Sequence, residues 1–333
     1  MKNISRQLSS RFKVPSLRKN VDSEYLATIL ILLAVWIFLI IISFINRSDF
    51  LSRATFGAIT FNMCIIGVLA IGQGLVVISG GILDLSITVS MLISSFMTVV
   101  LYELGWNIPA VIIGSIFCAG VFGLFNSIFV VWLRINPLIV TLATGFAGGG
   151  VLLIVFDRGL VDPKSWIAEF GTSHLLEFPT AWWPMALLTI GAHCFFKYSR
   201  IGRHFLAVGG SPLSSKAMGI SLKRMRIATF VGASIIGGVA GIIFAGFTPE
   251  IRPNAGSYYM LPVIAAVVLA GFSLAGGRGS FLALFVSVGF LSTIPTALVF
   301  FGLESIWQTF IQGFILIIAV SIDAYRIVKV RGR

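Results

Sequence analysis

Apolar residues run through this chain in long unbroken stretches, and polar residues gather at the joints between them. From Leu30 to Ile40 the run Leu-Ile-Leu-Leu-Ala-Val-Trp-Ile-Phe-Leu-Ile shows no alternation. A barrel strand would alternate apolar and polar with period two, so the stretches read as helices. A bilayer core about 30 Å thick takes about 20 apolar residues per helix. Ten stretches meet that length, at approximately 25–45, 57–78, 86–102, 108–132, 137–156, 180–197, 225–247, 259–275, 280–301 and 304–323. The pattern predicts an all-α polytopic membrane protein with about ten transmembrane helices.

Composition agrees and removes the alternative. A chain of 333 residues would ordinarily suggest about two soluble domains. Here 57% of residues are hydrophobic and 11% charged, with a mean hydropathy of +1.01. A soluble globule carries about 25% charged residues, so this chain cannot cover itself in water. The net charge of +12 would raise the question of nucleic acid if it were spread over a soluble surface. Its distribution answers otherwise. With ten spans, nineteen of the 24 Lys and Arg fall on one side, seven of them between Lys197 and Arg226. Eight of the 12 acids, including Asp49, Glu103, Glu250 and Glu304, fall on the other. Basic joints stay in the cytoplasm, so both termini are expected there, with no nucleic-acid partner. A basic segment 1–24 and a basic tail 324–333 then flank one domain, 25–323. The long basic region and long apolar stretch at the start do not resemble a cleavable signal peptide. Cys64, Cys118 and Cys194 lie in apolar stretches without metal-ligand spacing, and no metal is expected.

The 35 glycines exceed what anchoring helices need. Pairs four apart (Gly145 and Gly149, Gly237 and Gly241, with Ala119 and Gly123) predict close helix packing. Two places differ. From Ser79 to Ser86 a glycine pair precedes Asp84 and a short third span, which suggests a broken helix lining a cavity. The same residues also fit a turn in which Asp84 caps the next helix. Between Lys197 and Met225 the chain is too polar to insert. Ser211 suits an N-cap, Pro212 a first turn and Gly219 an end, so a short amphipathic helix is expected there.

Candidate polar groups for a solute are few. Asn62 and Gln73 are eleven residues apart and share a helix face. Gln308 and Gln312 share another, and Ser86, Thr88, Ser90, Ser94 and Ser95 stud the third span. Interhelical hydrogen bonding competes with a pathway role for each. A secondary transporter of a small polar solute is the alternative reading, but it would carry intramembrane charges for ion coupling. A membrane enzyme would cluster acids and histidines at one face, whereas His174, His193 and His204 are scattered.

Three ordered motifs carry a resemblance over nearly the whole chain. Arg200, Gly202, Arg203, Ala207, Gly209, Gly219 and Ile220 match the spacing of the cytoplasmic coupling region in permease subunits of ABC importers of the ribose-type branch. The stretch from Ile264 to Gly279, and Asp84-Leu85-Ser86, are similar to two further segments of that family. Leu83 is extra, Thr88 stands where a glycine is usual, and Gly210-Ser211-Pro212 replaces a usual Asn. The resemblance implies a type II ABC importer-like bundle in the inner membrane of a bacterium, passing a monosaccharide or related small sugar. It implies a second permease, identical or homologous, and cytoplasmic ATPase subunits gripping the loop 198–224 through Arg200, Gly202, Arg203, Gly209, Gly210, Ser211, Pro212, Lys216 and Gly219. A binding protein would dock outside, at the long 157–179 segment with Asp157, Asp162, Glu169 and Glu177. The chain has no Gly-x-x-x-x-Gly-Lys-Ser/Thr loop, so ATP and Mg are expected on the partner ATPase, and no cofactor here.

Overall fold

The computed structural model describes residues 30, 33–34, 36–38, 41–42, 52–80, 82–157, 159–161, 166, 169–170, 173–176, 178–300, 307–308, 310–318 and 320–321. Four long helices come first: α1 (Arg53–Gly80), α2 (Ile87–Glu103), α3 (Ile108–Val131) and α4 (Pro137–Val155). Short strands follow, β1 (Leu160–Val161), β2 (His174–Leu175) and β3 (Phe178–Pro179), and then α5 (Trp182–Tyr198). Two short helices, α6 (Arg200–Gly210) and α7 (Pro212–Ala217), lead into α8 (Leu222–Phe247). Strand β4 (Glu250–Ile251), α9 (Ser257–Leu269) and α10 (Phe281–Phe300) complete the order.

The helix starts are written locally. Asn107 accepts the Ala110 amide (3.0 Å) with Pro109 in the first turn of α3, and Asn136 accepts the Leu138 amide (2.9 Å) ahead of Pro137. Ser199 caps α6 through the Gly202 amide (2.8 Å). Such caps satisfy amides that no intrahelical carbonyl can reach.

Among the described residues five helices are long and apolar enough to cross a membrane: α1, α3, α4, α8 and α10. Helices α2 and α9 are apolar but shorter. Seven of the ten expected stretches coincide with these helices and an eighth, 180–197, with α5; the stretch at 25–45 lies largely outside the described residues, and the described part of 304–323 is helical. The stretch expected at 259–275 ends early, at Leu269, because Gly271, Gly276 and Gly277 adopt positive φ and turn the chain.

Helix α1 is the axis of the bundle, with 89% of its apolar window buried against 17% for α4. Helix α8 lies along α2 at backbone distance. A Cβ on Gly241 would stand 2.3 Å from the Met91 carbonyl oxygen, and one on Gly237 3.2 Å from that of Ile87. Close approach lets hydroxyls cross the seam: Ser90 donates to Ser234 (3.1 Å), Ser94 to the Gly238 carbonyl (2.7 Å) and Ser95 to that of Gly241 (2.9 Å). Helices gain no hydrophobic effect against each other in lipid, so this packing and bonding is what holds them.

The bundle has two chemically distinct ends. Arg134, Lys197, Arg200, Arg203, Lys216, Lys223, Arg224, Arg226 and Arg278 mark the basic end, where α6 and α7 lie. At the opposite end β1 pairs with β4 antiparallel (Leu160 with Ile251), and β2 with β3 (His174 with Pro179). There Arg252 donates to Glu250 (2.9 Å), and that bond holds the half-buried Glu250 carboxyl below its ordinary range.

Candidate functional site

Helix α1 reaches its last residue at Gly80, but α2 does not begin until Ile87. The residues between, 82–86, are irregular. Gln73 sits seven residues before the end of α1, about 10 Å into the bundle along the helix axis. With its amide oriented to pair donors with acceptors, Gln73 donates to the Asp84 carbonyl and accepts from the Asp84 amide, both at 3.0 Å. Irregular backbone therefore lies at the depth of Gln73, within the bundle.

Three helices hold that segment, two through its backbone and one through a hydroxyl. Besides Gln73 from α1, Thr141 of α4 accepts the Leu85 amide (3.1 Å) and Asn126 of α3 donates to Ser86 Oγ (2.7 Å). Asp84 Oδ1 accepts from the Ser86 amide (2.8 Å) and hydroxyl (2.6 Å), which shapes the entry into α2. Non-helical backbone at membrane depth is tolerated where protein groups or a cavity meet its polar atoms. Gln73, Asp84, Ser86 and Asn126 are all fully buried. Among the described residues Asp84 Oδ2 and Asn126 Oδ1 have no hydrogen-bond partner.

A second break faces the first. Helix α9 begins at Ser257, and a Cβ on the preceding Gly256 would stand 3.2 Å from Thr88 Cβ and 3.1 Å from Leu92 Cδ1. The start of α9 therefore abuts the first turns of α2. A cavity of about 350 Å³ opens at this meeting, walled by α2, α4 and α9. Thr88, Asn254 and Ser257 supply its polar side chains, among neighbours such as Leu85, Phe146 and Met260. Two helix N-termini carry partial positive charge towards one region, suited to electron-rich oxygen atoms of a solute.

The other expected pathway residues are dispersed. Asn62 is half-buried on α1, about 16 Å along the axis from Gln73. Gln308 and Gln312 are half-buried on a helical stretch near the chain end, and neither lines this cavity. Ser90, Ser94 and Ser95 are occupied in the α2–α8 seam. Asn126 and the second break at Gly256 were not singled out from the sequence. A lone amide in the apolar stretch 108–132 was the available signal for the first. The second read as an ordinary surface joint.

At the basic end the residues expected to couple divide by position. The segment expected as a loop with one short helix contains two, because Ser199 caps an additional helix, α6. Gly202 and Gly209, seven apart, share the inner face of α6. A Cβ on Gly202 would stand 2.3 Å from the Phe195 carbonyl oxygen, and one on Gly209 1.8 Å from that of Ile78. Arg200, Arg203, His204 and Gly210 are exposed. The Gly277 amide donates to the same Ile78 carbonyl (2.8 Å), so the ends of α1 and α6 and the α9–α10 joint are locked together.

Helix α7 starts at Pro212 with Ser211 as its cap and ends before Gly219, whose φ is +84°. Ser211 Oγ accepts the Ser214 amide (3.4 Å) and donates to Ser214 Oγ (2.8 Å). Lys216 is exposed, as are two large apolar side chains, Leu213 (84%) and Met218 (67%). At the opposite end Asp157 and Glu169 are exposed, while Asp162 and Glu177 lie outside the described residues.

An apolar bundle with two helices starting at one shared open pocket, and two short helices packed at one end, is a polytopic membrane protein built for transport. Within that class the chain belongs to the family described as branched-chain amino acid transport system / permease component, which it matches over residues 55–320. It is 30% identical to the ribose import permease protein RbsC of Bacillus subtilis (strain 168), over 87% of this chain and 91% of that one. It is 30% identical to the autoinducer 2 import system permease protein LsrC of Enterobacter sp. (strain 638), over 82% and 80%. It is also 31% identical to a probable ABC transporter permease protein, y4mJ, of Sinorhizobium fredii, over 78% of each. No solved structure matches the chain.

Proposed function

We propose that this chain lines the translocation path of an ATP-driven importer for a monosaccharide or related small sugar-derived solute. The observation that carries the reading is the cavity where α2 and α9 both begin inside the bundle. A sugar needs a few fixed polar groups beside apolar walls, and Thr88, Asn254 and Ser257 among Leu85, Phe146 and Met260 provide that mixture. The kinship with ribose and autoinducer 2 import permeases supports the solute class. Ser86, Asp84 and Gln73 position the wall, and Asn62, Gln308 and Gln312 border the route at other depths.

In this reading ten helices cross the inner membrane of a bacterium, with both termini and the basic end in the cytoplasm. ATP and Mg stay on partner ATPase subunits, which grip α6 and α7. A second permease, identical or homologous, completes the path. A binding protein loads it from the opposite end near Asp157, Asp162, Glu169 and Glu177. Movement of α7 passes through α6 to Ile78 at the end of α1, and from α1 through Gln73 to the break at Asp84.

The test is reconstitution of the chain with its ATPase and binding protein in proteoliposomes. Sugar-loaded binding protein should raise ATP hydrolysis and drive solute accumulation. Hydrolysis indifferent to the loaded binding protein would reject the importer reading.

A further inference from the structure

Between Ile113 and Leu124 of α3, and between Arg224 and Ile235 of α8, the helices leave a groove of about 740 Å³. Each bordering segment rises about 16 Å. Its walls are apolar throughout, with Phe117 67% exposed, except at one point. That point is Arg224, at the basic end of the groove. A separate pocket of about 330 Å³, lined by Arg134 together with Asn136, also takes in Lys223 and Arg226, on either side of Arg224 in sequence.

All four cations are exposed, and none forms an ion pair with a carboxylate among the described residues. Asp84, in the irregular segment after α1, is buried and held by Ser86. The positive end of the α8 dipole points the same way, since α8 begins at Leu222. An acyl-sized apolar slot ending in a cationic, hydrogen-bonding pocket at a membrane surface matches one chemistry. Basic pockets between helices at the cytoplasmic side bind anionic lipid head groups.

We infer that the α3–α8 seam is a binding site for an anionic phospholipid. One acyl chain lies along Phe117, Val121 and Leu124 of α3 and Ile227, Val231 and Ile235 of α8. The phosphate meets Arg224, and the rest of the head group reaches the Arg134–Lys223–Arg226 pocket. A zwitterionic lipid would fill the slot equally well but leave the cations without counter-charge. An apolar helix from another copy would fill the slot and leave Arg224 facing hydrocarbon.

The full chain, purified in detergent and stripped of lipid, is titrated with phosphatidylglycerol, phosphatidylethanolamine or phosphatidylcholine of identical acyl chains, and binding is read by native mass spectrometry and by Tm. Phosphatidylglycerol should bind preferentially. Lys223→Gln, Arg224→Gln and Arg226→Gln should each cut that preference about fivefold, the equivalent of roughly 1 kcal/mol per cation. Val121→Trp, which fills the slot, should weaken binding of every phospholipid while the cations stay in place. Equal binding of the three lipids overturns the proposal, as does a preference that survives all three Gln variants. Stabilisation by inorganic phosphate alone, matching that by phosphatidylglycerol, would assign the cations to a free anion and overturn it too.

Discussion

Gln73 is an amide whose two polar atoms are both spent on one peptide unit, the amide and carbonyl of Asp84. Gln73→Leu keeps the bulk and strands two buried backbone groups, at a cost of about 1–3 kcal/mol each. The purified variant should melt well below wild type, with any loss of uptake following loss of folded protein. A Gln73→Leu chain with wild-type Tm but altered apparent affinity for solute would instead make Gln73 a direct solute contact. Half of this site was legible in the sequence. The glycine pair ahead of Asp84 announced a break, and an acid two residues before Ser86 announced a turn. The partners were not legible, because Gln73, Asn126 and Thr141 come from three helices whose relative depth depends on packing. Asn62 and Gln73 share a helix face, yet a shared face says nothing of depth.

Among the short helices, α6 shows how a motif glycine can act through distance rather than flexibility. Gly209 touches the Ile78 carbonyl, whereas a Cβ on Gly210 would meet nothing within 4 Å. Gly209→Ala must push α6 off the end of α1, and overpacking of this kind costs about 1–3 kcal/mol. Gly210→Ala, one residue on, should retain the wild-type Tm. Equal melting of the two variants would contradict the locked joint. In the assembled complex Gly209→Ala should also hydrolyse ATP with little solute uptake, because α7 would no longer move α1. The starts of α3, α4 and α7 were written in adjacent residues, as Asn-x-Pro, Asn-Pro and Ser-Pro, and so could be read directly. The extra helix α6 rests on the Ser199 cap and on glycines whose role appears only when another backbone is set against them, and the early end of α9 on glycines at positive φ.

For the whole molecule the strongest signal is the separation of charge along the bundle. Basic residues from three separate joints, Arg134, Lys197 to Arg226 and Arg278, meet at one end although they are far apart in sequence. Exposed Asp157 and the Glu250–Arg252 pair lie at the other, tied by the β1–β4 pairing. A helical chain that crosses a membrane repeatedly brings alternate joints to the same side, and retained basic joints set which side that is. The apolar outer surfaces of α3 and α4 fit the same picture, since helices hydrophobic all round belong in lipid or against another apolar helix. Orientation then becomes a labelling experiment. In a background with Cys64, Cys118 and Cys194 replaced by Ser or Ala, Asp157→Cys should react with a membrane-impermeant maleimide in intact cells. Met218→Cys, on the exposed stretch after α7, should react only once the membrane is opened. The reverse pattern would invert the molecule and place α6 and α7 beyond the reach of a cytoplasmic ATPase.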